Sequence, residues 1–239
     1  MSAPPSAPRL PLSGLKLVEL GHYIAAPFAT RLLADLGAEV IKVEPPGGDP
    51  VRGWGSNING NAVWFSVHGR NKLSVTLDLK KPDDRAKLIA LLRRADGLIE
   101  NFRAGYLERV GLGPDVLHGE NPRLVIGRIS GYGQDGPYKD KPAFGAIGEA
   151  MGGLRHLSAE QGRLPVRVGV SIGDTLASLH GVIGILMALH EKKKSGLGQV
   201  IDVALYEAVF NCMESLLPEY SAFDAVRGPA GSALPGIAP

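Results

Sequence analysis

Short apolar runs alternate with amphipathic stretches along the first half of the chain. Residues 15–20 and 39–44 are dominated by Leu, Val and Ile, and each run has the length of a buried strand. The stretch 27–36 between them is typical of a helix, with Pro27 suited to the first turn and Gly37 to the left-handed position after the last turn. A strand, a helix and a strand within about thirty residues predict a βαβ unit with parallel strands and a right-handed crossover.

The same alternation continues toward the end of the chain. It predicts further strands at 74–78, 97–101, 124–129 and 200–203, and further helices at 82–94, 175–194 and 206–216. We expect the long helix to end at Gly196, with three lysines favourable at its negative end: Lys192, Lys193 and Lys194. This order of elements indicates the α/β class, a Rossmann-like large domain with a mainly parallel sheet and helices on both faces.

The composition changes at both ends of the chain. Residues 1–13 are rich in Pro and Ser and poor in large apolar side chains, so we expect a disordered lead-in. Residues 14–226 form the predicted large domain. From 227 to 239 the chain turns to Gly, Pro, Ala and Ser, and we expect this segment to begin a linker to a further domain.

The overall composition narrows the classes of function. The net charge is only +2 and no run of Lys and Arg is interleaved with aromatic residues, which argues against nucleic-acid binding. Cys212 is the only cysteine, so an internal disulfide and a cysteine metal cluster are excluded. Residues 1–11 lack the apolar core of a signal peptide, and the longest apolar run, 182–189, is too short to cross a bilayer. We therefore expect a cytoplasmic protein without membrane contact.

The segment 131–136, Gly-Tyr-Gly-Gln-Asp-Gly, matches the glycine spacing of dinucleotide-binding loops. Such a loop works only where a helix opens at once and points its N-terminal amides at a pyrophosphate. Here Pro137 and Pro142 follow, and the helical pattern resumes later, so we reject a nicotinamide or flavin site. The sequence contains no P-loop and no metal-spaced histidine pair.

Asp174 follows an apolar stretch and Gly173, and it directly precedes the predicted long helix. The commonest role of an aspartate at such a position is that of an N-cap, whose carboxylate accepts a hydrogen bond from an amide one turn into the helix. The same location suits a catalytic role, because the positive end of the helix dipole favours the ionised carboxylate. An ionised carboxylate can attack a thioester and form an acyl-aspartyl anhydride. Both roles stay open at this point.

Four segments occur in an order typical of one enzyme family. They are Gly-Ala-Glu-Val-Ile-Lys-Val-Glu at 37–44, Arg-Asn-Lys-Leu-Ser-Val-Thr-Leu-Asp-Leu at 70–79, Glu-Asn-Phe-Arg-Ala-Gly at 100–105 and Gly-Leu-Gly-Gln-Val-Ile-Asp-Val at 196–203. Together they resemble the class III CoA-transferases of the CaiB/BaiF type, a family that includes formyl-CoA transferase, carnitine CoA-transferase and α-methylacyl-CoA racemase. The resemblance extends from residue 12 to residue 239, and it implies that the family's smaller domain is absent from this sequence.

The resemblance assigns roles by motif position. It makes Asp174 the catalytic aspartate, and it implies CoA contacts at His22, Ala25, Lys72, Asn101, Phe102 and Arg109. Lysine and arginine suit this role because they pair with the phosphates of CoA. Considered singly, several of these residues have commoner roles: a loop histidine for His22, core packing for Phe102, a strand edge for Lys72 and a solvated helix face for Arg109.

Two positions depart from the family's pattern. Phe144 stands where the racemases have a proton-transferring histidine, and because a phenyl ring transfers no proton we disfavour racemase activity. Pro142 stands where some transferases have a phosphate-binding lysine. Lys139 and Lys141 lie close by, out of register, as candidates to compensate.

The resemblance implies that CoA moves between an acyl-CoA and a small carboxylic acid, through an anhydride and then a thioester on Asp174. Because CoA is a substrate in this chemistry, no tightly bound cofactor and no metal are expected. The family's interlocked dimer suggests a homodimer. The alternative from another class is a non-catalytic CoA-binding or interface subunit, and an acyl-CoA racemase is a more distant one.

Overall fold

The apolar runs of the sequence form a parallel sheet in the computed structural model, which describes residues 9–234. The strands are β1 (Lys16–Glu19), β2 (Glu39–Glu44), β3 (Asn57–Ile58), β4 (Asn61–Ala62), β5 (Lys72–Thr76), β6 (Gly97–Glu100), β7 (Val125–Ser130) and β8 (Val200–Ala204). β3 and β4 form a small antiparallel hairpin, and the other six strands pair in parallel in the order β5-β2-β1-β6-β7-β8. The predicted α/β class with a mainly parallel sheet is confirmed.

Helices make most of the connections between these strands. They are α1 (Ala25–Asp35), α2 (Val63–Gly69), α3 (Pro82–Leu92), α4 (Tyr106–Arg109), α5 (Pro114–Glu120), α6 (Gly145–Met151), α7 (Leu154–Leu157), α8 (Ile172–Ser195), α9 (Leu205–Phe210) and α10 (Leu216–Phe223). No helix opens directly after the glycines of 131–136, since the next one, α6, begins only at Gly145. That loop therefore lacks the helix N-terminus that a dinucleotide site requires.

Neighbouring residues of each strand point to opposite faces of the sheet, and both faces are covered. Leu17 and Ile99 pack against α1 and α8 on one face. Val18 and Leu98 pack against α3 and α5 on the other face. All four side chains are buried, so the predicted placement of helices on both faces is confirmed.

The strand order contains a switch point between β1 and β6. From β1 the sheet extends outward through β2 to β5, and then continues on the other side of β1 with β6, β7 and β8. In open parallel sheets, ligands bind in the crevice outside the carboxyl ends of the two strands at such a point. His22 follows β1 and Asn101 follows β6. The fold therefore brings together two of the residues for which the resemblance implies CoA contacts.

Two helices differ from their predicted bounds in ways that bear on the site or the topology. α8 begins at Ile172 rather than at 175, so Asp174 lies inside its first turn. The helix predicted at 206–216 is shorter, since α9 ends at Phe210, and a separate helix, α10, begins at Leu216. Glu214 has a φ of 53°, a left-handed conformation that interrupts the helical ladder between them. At its other end α8 is terminated by Gly196 with a φ of 76°, as predicted.

The predicted lead-in and linker lie only partly within the described chain, since residues 1–8 and 235–239 are outside it. The amide of Leu12 donates a hydrogen bond to the carbonyl of Leu36 at 2.9 Å, so residues 11–13 form an ordered turn against the end of α1. The amide of Ala230 similarly donates to the carbonyl of Leu157 at 2.9 Å. Contacts with the domain thus extend past both predicted boundaries, and the boundaries themselves stay predictions.

α8 is longer and more apolar than the continuous run at 182–189 indicates. By length and composition alone its 24 residues could cross a membrane, so the prediction that no segment is long enough is wrong for this helix. In the fold α8 packs against α1, α9, β7 and β8, as core helices do. Leu179, Ile183 and Met187 remain exposed along it. The expected lack of membrane contact stays a prediction.

We expect Gly198→Ala to destabilise the fold. An added Cβ would lie 2.0 Å from the carbonyl oxygen of Leu124, a backbone atom that cannot move without disturbing the start of β7. The free energy of unfolding, measured by urea denaturation, should fall by about 2–3 kcal/mol. The control is Gly119→Ala in α5, where nothing lies within 4 Å of the added Cβ and alanine is the better helix former. Equal stability of the two variants would contradict this account.

Candidate active site

The loops after β1 and β6 are joined by a pair of hydrogen bonds across the switch point. The amide of His22 donates to Oδ1 of Asn101, and Nδ2 of Asn101 donates to the carbonyl oxygen of His22, both at 2.9 Å. The imidazole of His22 packs edge-on against the ring of Phe102, with 5.3 Å between centroids. Burial lowers the pKa of His22, which favours the neutral imidazole. Asn101 therefore holds the backbone of the loop that carries His22.

A cavity of about 290 Å³ opens beside these loops. Five of the seven predicted site residues line it: His22, Ala25, Asn101, Phe102 and Asp174. They come from the loop after β1, the start of α1, the loop after β6 and the start of α8. Residues that the sequence analysis selected from four separate segments thus meet at one place.

The same cavity contains residues to which the sequence analysis gave no settled role. Lys139 and Lys141 both line it, and Nζ of Lys141 lies 3.8 Å from the centre of the Tyr138 ring. Phe144 lines it as well, with its ring 5.9 Å from that of Tyr23. The two lysines are the residues that the sequence offered as candidates to compensate for Pro142. They supply positive charge to the cavity wall that Pro142 cannot.

Asp174 is the third residue of α8 and not its N-cap, so the capping interpretation is wrong. Ser171 occupies the cap position, and it makes no side-chain capping bond. The Asp174 carboxylate lies against Gly145 at the start of α6, where an added Cβ would be only 2.1 Å from Oδ2. Gly145 therefore gives the carboxylate its space. Within residues 9–234, no other side chain donates a hydrogen bond to this carboxylate, and the backbone amide of Asp174 itself is a donor to it.

The electrostatic surroundings of Asp174 differ from the expected ones. Burial raises the pKa of Asp174 to about 6, against the lowering effect of Arg167 and with a further raising effect from Glu149. The helix dipole was expected to favour the ionised form, and burial outweighs it. At neutral pH the carboxylate is ionised but poorly solvated, a state suited to nucleophilic attack.

Arg109 lies in a neighbouring cavity rather than beside Asp174. That cavity, of about 250 Å³, shares Ala104 and Lys139 with the first one. Arg109 is exposed, and its Nη1 donates to the carbonyl of Ala104 at 3.3 Å. The rest of the guanidinium group is free of hydrogen bonds within the described chain. Arg109 and Lys139 therefore present positive charge along a path that leads out of the cavity of Asp174.

The structure places Lys72 in the interior and not in the groove. Its Nζ donates to Oε2 of Glu19 and to the carbonyl of Pro27, both at 2.7 Å, and its side chain is 1% exposed. An ammonium group buried and paired in this way is unavailable to a phosphate. The expected CoA contact at Lys72 is therefore wrong. The alternating pattern of a strand does not reveal to which face a lone lysine points.

A buried cluster of charges fixes the loop behind the cavity. Nζ of Lys42 contacts Oε1 of Glu19 at 2.6 Å, Oδ2 of Asp49 at 2.8 Å and the carbonyl oxygen of Gly21 at 2.7 Å. Oδ1 of Asp49 accepts a hydrogen bond from the amide of Tyr23 at 3.2 Å. Tyr23 has a φ of 63°, a conformation that costs a non-glycine residue free energy. The cluster therefore anchors the residues on both sides of His22.

Comparison with known proteins places this geometry in a family. The sequence model of CoA-transferase family III matches residues 12–239. The chain is 49% identical to succinyl-CoA–D-citramalate CoA-transferase of Chloroflexus aurantiacus over 97% of the chain and 58% of that protein. It is 43% identical to the alpha subunit of succinyl-CoA–L-malate CoA-transferase of Chloroflexus aurantiacus over 94% of the chain and 53% of that protein. It thus spans somewhat more than half the length of these relatives.

A solved structure gives the same result for the fold. The crystal structure of a CaiB/BaiF family protein from Brucella suis matches with a TM-score of 0.91 and 37% sequence identity, over 97% of this chain and 63% of that one. The matched family model, the aligned relatives and the shared fold agree with the motifs at 37–44, 70–79, 100–105 and 196–203. The chain belongs to CoA-transferase family III.

Proposed function

We propose that the protein transfers CoA between an acyl-CoA and a carboxylic acid, with Asp174 as the nucleophile. The observation that carries this proposal is the meeting of Asp174 with His22, Ala25, Asn101 and Phe102 around one cavity. Asp174 supplies the carboxylate among the residues that line this cavity. This carboxylate has room beside it because Gly145, against which it lies, has no side chain. A carboxylate with these properties is suited to covalent catalysis.

The first half of the reaction transfers CoA to the protein. The Asp174 carboxylate attacks the thioester carbonyl of the donor, so that an acyl-aspartyl anhydride forms and CoA leaves as the thiolate. The thiolate then attacks the aspartyl carbonyl of the anhydride, which releases the donor acid and leaves CoA as a thioester on Asp174. Each step exchanges one acyl bond for another and needs no oxidant.

The second half is the reverse of the first with a different acid. The acceptor carboxylate attacks the aspartyl thioester and forms a new anhydride, again releasing the CoA thiolate. The thiolate attacks the acceptor carbonyl, which yields the new acyl-CoA and restores the Asp174 carboxylate. CoA must stay close between these steps, and the joined loops at His22 and Asn101 offer a fixed wall for its thiol end.

We assign the phosphates of CoA to the cationic side of the site. Lys139 and Lys141 line the cavity of Asp174, and Arg109 lies in the adjoining cavity with most of its guanidinium free. Guanidinium and ammonium groups bind phosphate through charge-assisted hydrogen bonds. No role in phosphate binding is left for Lys72, whose ammonium is paired with Glu19.

Small dicarboxylic acids are the proposed acid substrates. Relatives from Chloroflexus aurantiacus are named for succinyl-CoA as one substrate and for citramalate or malate as the other. Racemase activity is not favoured, because Phe144 lines the cavity and its ring transfers no proton. A homodimer and a cytoplasmic location stay predictions.

A second candidate function is that of a CoA-binding or interface subunit without activity of its own. The alpha and beta subunits of succinyl-CoA–L-malate CoA-transferase among the relatives favour it, since they show that the family forms assemblies of two different chains. Purified protein with succinyl-CoA and a labelled acid separates the two functions. Movement of label into acyl-CoA supports the enzyme, whereas retention of CoA without exchange supports the subunit.

Asp174→Ala should abolish transfer while the fold stays cooperative. Activity should fall by at least about a thousandfold, because the covalent route is lost. Hydroxylamine added during turnover should leave a hydroxamate on Asp174 of the parent protein, detected by peptide mass spectrometry. The control is Asp115→Ala, which removes an exposed first-turn aspartate from α5. Full transfer by Asp174→Ala would end the proposal.

The raised pKa of Asp174 predicts two opposite pH effects. The transfer rate should rise with pH through a pKa of about 6, because only the ionised carboxylate attacks. The free energy of unfolding should instead fall as the pH rises. The folded-state pKa lies above the ordinary value of 3.8, so the stability contributed by the protonated form is present at low pH and lost as the pH rises through about 6.

Asp174→Asn should therefore stabilise the protein at about pH 8, by about 1–2 kcal/mol, and have little effect at about pH 4. Thermal unfolding at the two pH values measures the difference, and Asp115→Asn is the matched control for an exposed carboxylate. A loss of stability for Asp174→Asn that is the same at both pH values would contradict the desolvation of Asp174.

Arg109→Ala and Lys139→Ala should each weaken CoA binding by about 1–2 kcal/mol, measured by calorimetry, because each removes a partly solvated phosphate contact. Dephospho-CoA should reduce the loss for whichever residue contacts the 3′-phosphate. Arg94→Ala, an exposed arginine far from both cavities, serves as the control. Unchanged CoA affinity in both variants would show that the phosphate path is misplaced.

A further inference from the structure

Glu149 is a buried carboxylate without a hydrogen-bond partner. It lies on α6, its side chain is 0% exposed, and neither of its Oε atoms accepts a hydrogen bond from any of residues 9–234. Burying a carboxylate costs free energy unless a cation or a donor compensates it. An orphaned carboxylate of this kind therefore needs an explanation.

Two arginines approach Glu149 from different segments. Nε of Arg167, in the loop between α7 and α8, is 3.6 Å from Oε1 of Glu149. Nε of Arg155, on α7, is 3.9 Å from Oε2, and this Nε is itself buried and unpaired among the described residues. Both separations exceed hydrogen-bond length, so a small movement of either arginine toward the carboxylate completes the pair.

This triad of charges lies beside the proposed nucleophile. Glu149 is one helical turn beyond Gly145, the residue against which the Asp174 carboxylate rests. Gly173 faces Glu149 as well, since a Cβ added there would be 3.4 Å from Cγ of Glu149. The charge of Arg167 also acts on the Asp174 carboxylate. Arg167 therefore approaches Asp174 through Glu149, which lies next to the two glycines that flank the Asp174 carboxylate.

We propose that Arg167, held in place by Glu149, binds one of the two carboxylates of a dicarboxylic acid substrate. The bound carboxylate is the one that does not take part in the reaction. The side chain of Arg167 is 45% exposed, and its terminal amino groups form no hydrogen bond within the described chain. A guanidinium whose inner nitrogen is directed toward a buried carboxylate presents its outer nitrogens as a fork for a second carboxylate.

The assignment to the unreactive carboxylate follows from the chemistry. The reacting carboxylate has to keep its lone pairs available to attack the aspartyl carbonyl, and pairing it with a guanidinium would weaken it as a nucleophile. Glu149 is in this scheme a positioning residue, because it acts only through Arg167. The inference rests on the proposed function and adds to it a residue that selects dicarboxylic over monocarboxylic acids.

The test compares glutarate with pentanoate, which has the same carbon chain and one carboxylate fewer. Binding to the protein is measured by calorimetry, without turnover. The parent should bind glutarate at least about tenfold more tightly than pentanoate, and Arg167→Ala should lose that preference. Arg167→Lys should retain part of it. Glu149→Gln should reduce it while CoA affinity stays unchanged, a split that a merely structural role would not produce.

The control is Arg163→Ala in the same loop, whose guanidinium pairs only with Glu160 in the described chain. Equal binding of the two acids to the parent, or an unchanged preference in Arg167→Ala, would overturn the inference. Either result leaves the proposed transfer reaction standing, because transfer is tested separately by Asp174→Ala. Full transfer by Asp174→Ala, with the glutarate preference of the parent intact, would instead remove the proposed function alone.

Discussion

Lys42 carries its ammonium group into the interior, and the position of the active-site loop depends on how that charge is compensated. The ammonium contacts the carboxylates of Glu19 and Asp49, and Glu19 is also bound by Lys72. Burial alone would raise the pKa of Glu19, but the two ammonium groups hold it below its usual range. Glu19 is therefore held in its ionised form. Replacing one charged residue of the cluster would leave another buried charge uncompensated. An unpaired buried charge destabilises the fold more than the intact cluster does.

The cluster reaches the site through the backbone. Lys42 binds the carbonyl of Gly21, and Asp49 binds the amide of Tyr23, so the residues flanking His22 are held from behind. Asn101 then fixes His22 from the side of β6. A hydrophobic core alone does not specify a loop conformation, because it is non-directional. Hydrogen bonds from buried charged groups are directional and therefore specify the conformation of this loop. They also maintain the left-handed backbone of Tyr23.

The sequence was most informative where periodicity and topology act together. Short apolar runs predicted the strands, and parallel order then accounts for the meeting of His22 with Asn101 across the switch point. The CoA contact expected at Lys72 was wrong, because the pattern of a strand does not indicate whether a lysine is exposed to solvent or paired with a buried glutamate. The break before α10 depends on one backbone angle at Glu214, which residue type alone does not predict. Glu149 gave no signal, because its burial arises from the packing of α6 against other helices, α7, α8 and α9.

The position of Asp174 within α8 bears on its reactivity. A carboxylate at the N-cap position would accept bonds from the first helical amides, and those bonds would stabilise the ionised form while occupying its lone pairs. As the third residue of α8, Asp174 keeps the general influence of the helix N-terminus, and its own backbone amide is a donor to its carboxylate. Burial then raises its pKa to about 6, near the ordinary working pH. The carboxylate is thus ionised but little stabilised by partners, so less stabilisation is lost when it attacks a thioester.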